Sequence, residues 1–478
     1  MPRLPLLFLS LFLLGACASL PPAPPAGSPQ AQCLERYQAL DRAVAQHGYS
    51  PTFAARIPGF PYLRVDRFLA SYREEPLTPP QSRAWLQALA GLDREARRIE
   101  LASLTAARRA ALPNEAELTR CTGLLVEHDL AVPARIALLR QRAVVPDDYV
   151  TGQRVFGLYP LTALGVAAGV RRWQAETRAV FALPRPQLPT AGIVRRYAPQ
   201  NPAAIFTVDY TALPRDALGI PRPTPAQLAS LYAQHAPLLE LDQAGPDDYP
   251  GAPRWAGDAL PTVDAATPLL YRYASYTRWR GEPLLQLNYV VWFSARPKNG
   301  ALDILGGPLD GLMWRVTLDH NGRPLLYDSI HPCGCYHKFF PSHSLRLRAA
   351  ALNLPEPPLV LPPPPAPGPG QRLVLRIASG THYLQRVYPD TPGATLPYQW
   401  RDYAALYTVP DQRGGRRSLF GADALVLGSE RLERFILWPM GIPSPGGMRE
   451  RGHHATAFLG RRHFDDADLL EQLFEPAS

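Results

Sequence analysis

The sequence predicts an α+β protein, with a helical N-terminal domain followed by a mainly antiparallel β domain. Three observations lead there. Apolar residues recur at helical spacing up to about residue 183. The apolar period changes to two from Pro268 onward. Fifty-five prolines in 478 residues, about twice the usual share, exclude an architecture of long uninterrupted helices.

In the N-terminal part, Leu34, Tyr37, Leu40 and Val44 form one helical face directly after Cys33. Trp85, Leu89, Leu92, Ala96 and Ile99 form a second, opened by Pro79 and Pro80 and closed by Pro113. A third helix is expected over 115–129 and contains Cys121. Segment 156–170 is the most apolar stretch after the N-terminus and ends at Arg171 and Arg172. It is short for a bilayer span, so a buried helix is expected, with an interfacial segment as the other reading. Residues 184–260 read as an irregular connection with one helix near 225–235.

From Pro268 the alternation predicts four antiparallel strands. Tyr271, Tyr273, Ser275, Thr277 and Trp279 share one face of the first, and residues 280–283 make its turn. Strands over 313–318 and 325–330 flank Asp319-His320-Asn321-Gly322, where Asn-Gly signals a type I′ hairpin. A Pro-rich insertion spans 355–369, a further strand pair is expected at 372–377 and 382–387, and short strands at 424–427 and 435–438. A helix over 465–474 closes the chain, its Asp465, Asp466 and Asp468 acting as cap and dipole partners.

The first residues read Met1-Pro2-Arg3, then an apolar run over 4–14, then Gly15-Ala16-Cys17. A positive start, a short apolar core and small residues before a cleavage point make a secretory signal. Leu14-Gly15-Ala16-Cys17 closely resembles the lipobox of bacterial lipoproteins. The resemblance covers about 20 residues. It implies cleavage before Cys17, lipidation of Cys17, and a mature chain held to a bilayer by its N-terminal lipid. Ala18, where an Asp favours retention in the inner membrane, implies an outer-membrane, periplasm-facing location. The expected organisation is therefore signal peptide 1–16, lipidated cysteine and flexible tether 17–32, helical domain 33–183, connection 184–260, and β-rich domain 261–478.

The charge balance is +9, yet 48 of the 50 cations are Arg and only Lys298 and Lys338 are Lys. No run of five basic residues and no basic helix with interleaved aromatics occurs, which argues against nucleic-acid binding. The mean hydropathy of −0.15 and the lack of a second long apolar run exclude a polytopic helical membrane protein. No protein partner can be read from the chain.

Four cysteines remain after lipidation, in an oxidising compartment. The simplest pairing joins Cys33 to Cys121 and Cys333 to Cys335. The second pair lies in Asp328-Ser329-Ile330-His331-Pro332-Cys333-Gly334-Cys335-Tyr336-His337. In an extended strand His331 and His337 would stand about 20 Å apart, so any joint site needs a turn, which Pro332 and Gly334 permit. Three chemistries compete. A Cys333–Cys335 disulfide, or a pair close enough to form one, with His331 and His337 as partly exposed neighbours, is the expectation adopted. Zn or Cu held by His331, Cys333, Cys335, His337 and His454 is the second. A catalytic Cys333 or Cys335 activated by His331 or His337 is the third. No cofactor is otherwise predicted. His453, His454 and His463 could join the loop only through the fold, and Asp328, Ser329 and His331 are too close in sequence to form a triad. Binding or scaffolding at the envelope is the leading function. An enzyme using thiol–disulfide or acyl-transfer chemistry, or a metal-binding protein, is the alternative.

Overall fold

A computed structural model describes residues 24–200 and 206–477; the lipobox and Cys17 lie outside them. The longer helices are α1 (Pro29–His47), α2 (Pro79–Ser103), α3 (Glu115–Ala131), α4 (Pro133–Arg142), α5 (Tyr159–Ala182) and α6 (Pro225–His235). Their starts follow local chemistry. The Ser28 hydroxyl accepts from Ala31 N–H (3.2 Å) to cap α1. At α3, Asn114 and Glu117 exchange side-chain-to-backbone bonds of 3.0 Å as a capping box. The predicted apolar faces of α1 and α2 are buried in one core, and Cys33 on α1 is disulfide-bonded to Cys121 on α3, as expected. Leu218, Ile220 and Ala467 enter the same core, so later chain segments help complete the helical part.

Eleven strands form one large sheet: β1 (Ile193–Pro199), β2 (Leu238–Gln243), β3 (Leu269–Trp279), β4 (Glu282–Arg296), β5 (Gly307–Leu318), β6 (Pro324–Ile330), β7 (Lys338–Pro341), β8 (Leu359–Val360), β9 (Arg372–Ile377), β10 (Leu384–Asp390) and β11 (Leu396–Asp402). Their order is β8-β7-β6-β5-β4-β3-β11-β1-β2-β9-β10. The four predicted strands β3 to β6 are a consecutive antiparallel meander, and β9 pairs with β10 as predicted. The sheet as a whole is mixed, its pairings mostly antiparallel with several parallel ones. β11 runs parallel to both β3 and β1, β9 to β2, and β8 to β7. Residues 184–260 are not merely a connection, because they supply β1 and β2 to the middle of the sheet. The charges of β2 explain why it was missed: Glu240 and Asp242 are buried against Arg196 and Arg376.

Three further expectations are corrected. The turn with positive φ at both central residues joins β3 to β4 at Arg280 (55°) and Gly281 (79°). Between β5 and β6 only Gly322 has positive φ, and the Asp319 carboxylate braces that loop by accepting from Asn321 and Arg323 N–H, both at 2.8 Å. Residues 435–438 are helical and 424–427 hold a single bridge rather than a strand, while the last helix shrinks to Leu469–Leu473. The third concerns the apolar segment. Phe156 is 83% exposed, Leu161 68% and Leu164 69%, so the start of α5 is not a buried helix. Only Gln174 and Thr177, in its second half, are buried.

Alternate residues of β4 serve two cores. Leu285, Leu287, Tyr289, Val291 and Phe293 pack on the face covered by α6 and the second half of α5. Val290 and Trp292 pack on the other, against segments between 403 and 464. The 331–337 turn leaves the end of β6 between these layers.

Candidate functional site

Beyond Ile330 the chain turns at once. His331 N–H donates to the Cys335 carbonyl (3.0 Å) and Gly334 N–H to the His331 carbonyl (2.8 Å). Gly334 has φ +91°, and a Cβ there would stand 2.4 Å from the Ala455 carbonyl oxygen, so only glycine fits. Tyr336 is also left-handed, at +65°. The chain then returns as β7, with Ser329 opposite Lys338.

This turn alters the expected chemistry. Cys333 and Cys335 are unbridged thiols, not a disulfide. The turn aims the Cys333 sulfur at the Cys335 N–H (3.4 Å). The neighbouring Cys333 side chain, together with burial, pushes the Cys335 thiol well above its ordinary pKa.

His331 and His337 are buried rather than partly exposed, and each leans on a different carboxylate. His331 Nδ1 is 3.0 Å from Asp310 Oδ1, and His382 Nδ1 is 2.9 Å from Asp310 Oδ2. His382 Nε2 in turn lies 3.4 Å from Asp248 Oδ1. Asp248, His382, Asp310 and His331 thus form a buried row of alternating carboxylates and imidazoles, hydrogen-bonded at Asp310. Burial alone would raise Asp310, but the two imidazoles outweigh it and hold the carboxyl below its ordinary value. Burial lowers His331 despite Asp310, whereas Asp248 and Asp310 overcome burial and raise His382. His337 Nε2 lies 2.9 Å from Asp328 Oδ2, and Asp328 also takes the Arg315 guanidinium, with Nε at 2.9 Å from Oδ1. Burial brings His337 down to about 4. Among the described residues, neither His331 Nε2 nor His337 Nδ1 has a hydrogen-bond partner.

The fold does bring the C-terminal segment to this turn. Arg449 N–H donates to the Pro332 carbonyl (2.9 Å), and His454, buried nearby, is lowered to about 3 by burial and by Arg449. His463 goes elsewhere, to Asp147, Asp148 and Asp466. The candidate ligands His331, Cys333, Cys335, His337 and His454 therefore do not assemble as a set. Among the described residues no three His, Cys, Asp or Glu side chains converge to hold a metal ion.

What the turn does form is one wall of a cavity of about 550 Å³, within the roughly 300–1,000 Å³ of small-molecule sites. Residues 333–337 face Gly165, Gly169 and Trp173 of α5, and Ile436, Leu437 and Ile442 close the side. At Gly165 and Gly169 a Cβ would meet nothing within 4 Å, so these two positions open the space. The lining is largely apolar, with Gln174, His337, Thr456 and the paired Glu356 and Arg462 among its polar groups. Glu433 is another, and burial pushes it up to about 7 despite Arg431 and Arg296. Just behind Tyr336 and Trp173, Lys338 is buried with no carboxylate partner among the described residues and is brought down to about 7. A second cleft of about 730 Å³ lies between α2 and β3; its walls carry Arg67 and Arg451, already paired with Asp148 and Glu95.

No protein-family model, curated protein or solved structure matches this chain. Sequence reasoning located the turn but missed Asp310, Asp248 and His382, which lie on distant segments with no shared motif. Lys338 carried a signal, as one of only two lysines among 50 cations.

Proposed function

We propose that this is a lipid-anchored cell-envelope protein, held through Cys17 at the periplasmic side of the outer membrane, that binds an apolar ligand of the acyl-chain type. The ligand lies in the cavity walled by residues 333–337. One observation carries the reading: α5 has glycine at two of the positions that line this largely apolar cavity, Gly165 and Gly169, where an added Cβ would meet nothing within 4 Å and a large side chain would project into the space. Glycine costs helix stability, about 1 kcal/mol each relative to Ala, so its placement there needs a reason other than helix formation. A second reading follows from the neighbouring thiols of Cys333 and Cys335 on the same wall, which would let the protein act on its ligand by thiol chemistry.

The test is photo-crosslinking of a diazirine fatty acid to the full chain, with peptide mapping. Wild-type protein should be labelled on peptides covering 162–173 and 333–337. Gly169→Leu should abolish that labelling while thermal stability holds or rises, because Leu is the better helix former. Undiminished labelling in Gly169→Leu refutes the site. Cys333→Ala and Cys335→Ala, which leave the cavity open, should retain labelling if binding alone is the function.

A further inference from the structure

The cavity opens beside a cluster of exposed apolar residues. Val155, Phe156, Leu158, Leu161 and Leu164 are all exposed. So are Leu432, Phe435, Ile436 and Trp438 on the segment that packs against them. The two groups are held together rigidly. Gly157 sits so close to Pro439 that a Cβ would approach its side chain to 2.5 Å, Val150 N–H donates to the Gly441 carbonyl (2.7 Å), and Arg154 Nε donates to the Met440 carbonyl (2.8 Å). Soluble proteins rarely leave such a contiguous patch open unless something covers it.

We infer that this face docks on a lipid bilayer, with the cavity mouth turned toward the lipid. This extends the lipid-anchored reading above and names where its ligand enters. Three features select a bilayer over a protein partner. First, no charge occurs from 155 to 170, and α5 is apolar on its outer side and on its cavity side alike. A protein surface covers one side of a helix, whereas lipid covers every exposed side. Second, the patch is rimmed by cations. Arg171 ends the apolar run and Arg434 adjoins Phe435, both exposed, which suits anionic headgroups, while Arg172 pairs with Glu176 at 2.8 Å. Trp438 lies in the same border, the position an amphipathic ring takes at a membrane interface. Third, the geometry is that of a segment lying on the membrane. Among the described residues no helix is long and apolar enough to cross one. The apolar turns of α5 span only about 18 Å at 1.5 Å per residue. An interfacial helix sinks about 5–10 Å into the headgroup boundary, enough to cover Phe156, Leu161 and Phe435. The tether from Cys17 to the start of α1 at Pro29 reaches at most roughly 40 Å, so a lipidated chain keeps the body within range of its own membrane.

The experiment places the full chain in vesicles of phosphatidylethanolamine and phosphatidylglycerol containing a phospholipid with a diazirine in its acyl chain. After illumination, labelled peptides are mapped. Labelling is expected on 151–164 and 432–440 as well as on the N-terminal segment. The exposed-site variant Phe156→Ser/Leu161→Ser/Phe435→Ser should lose the first two and keep the third. Labelling confined to the N-terminal segment, or protein–protein crosslinks across 156–164 in place of lipid adducts, overturns the proposal. The cavity is scored separately in the same sample through peptide 333–337. Loss of that signal in Gly169→Leu, with 151–164 still labelled, shows that docking and ligand binding are distinct.

Discussion

Replacing Lys338 with Met should stabilise the protein, by an amount that depends on pH. The amine is 1% exposed on β7. Its polar contact is the Tyr336 carbonyl at 3.4 Å, and it otherwise faces the rings of Trp173 (5.2 Å) and Tyr383 (5.6 Å). Burial brings it down to about 7, while the unfolded chain keeps an ordinary lysine near 10.4. Between those values the unfolded state holds a proton that the native state lacks, so native stability rises with pH across the window and the full penalty applies below about 7. A difference of roughly 3.5 units at about 1.4 kcal/mol each sets an upper bound near 5 kcal/mol, reduced by the cation–π contacts and by relaxation. Urea unfolding of the full chain in detergent, disulfide intact, should show Lys338→Met gaining about 2–5 kcal/mol at pH 6.5 and progressively less toward pH 10. A gain that does not vary with pH would refute the lowered amine, and a loss at every pH would mean that the ammonium has an anionic partner in solution.

Two further outcomes follow from the same geometry. Cys33→Ala/Cys121→Ala should cost about 4 kcal/mol in denaturant unfolding, because the bridge closes a sequence separation of 88 in the unfolded chain; an unchanged midpoint would contradict that. Gly334→Ala combines a left-handed backbone with a 2.4 Å approach to the Ala455 carbonyl, so it should lower stability by about 1–3 kcal/mol or more and expose Cys333 to alkylation, read by differential scanning and thiol mass mapping.

What the sequence made legible was local. The helices and the β3–β6 meander rest on spacing and turns within short windows, and the Cys33–Cys121 bridge on the simplest pairing of four cysteines. The type I′ expectation at Asn321-Gly322 used a sound rule at the wrong hairpin, because Asp319 offers its carboxylate to two N–H groups and stabilises another loop, while Arg280 accepts the positive φ. The parallel pairings of β11 were invisible because parallel neighbours share no turn. For the site, Pro332 and Gly334 located the 331–337 turn but not the orientation of its side chains. Each histidine found its own carboxylate, on β5 for His331 and on β6 for His337, and that choice belongs to the sheet register. The exposure of Phe156 and Leu161 contradicts the ordinary tendency to bury apolar runs, which is why the run carries functional information.

The proline-rich insertion has a role that concerns neighbouring molecules rather than the site. Its two-residue strand β8 is one edge of the eleven-stranded sheet, with Pro357 and Pro358 before it and Pro362 to Pro365 after it. An open edge is a template on which another chain can add a strand, and proline, which has no amide hydrogen to donate, stops that growth. A sheet this wide is thereby protected from growing by strand addition along that side.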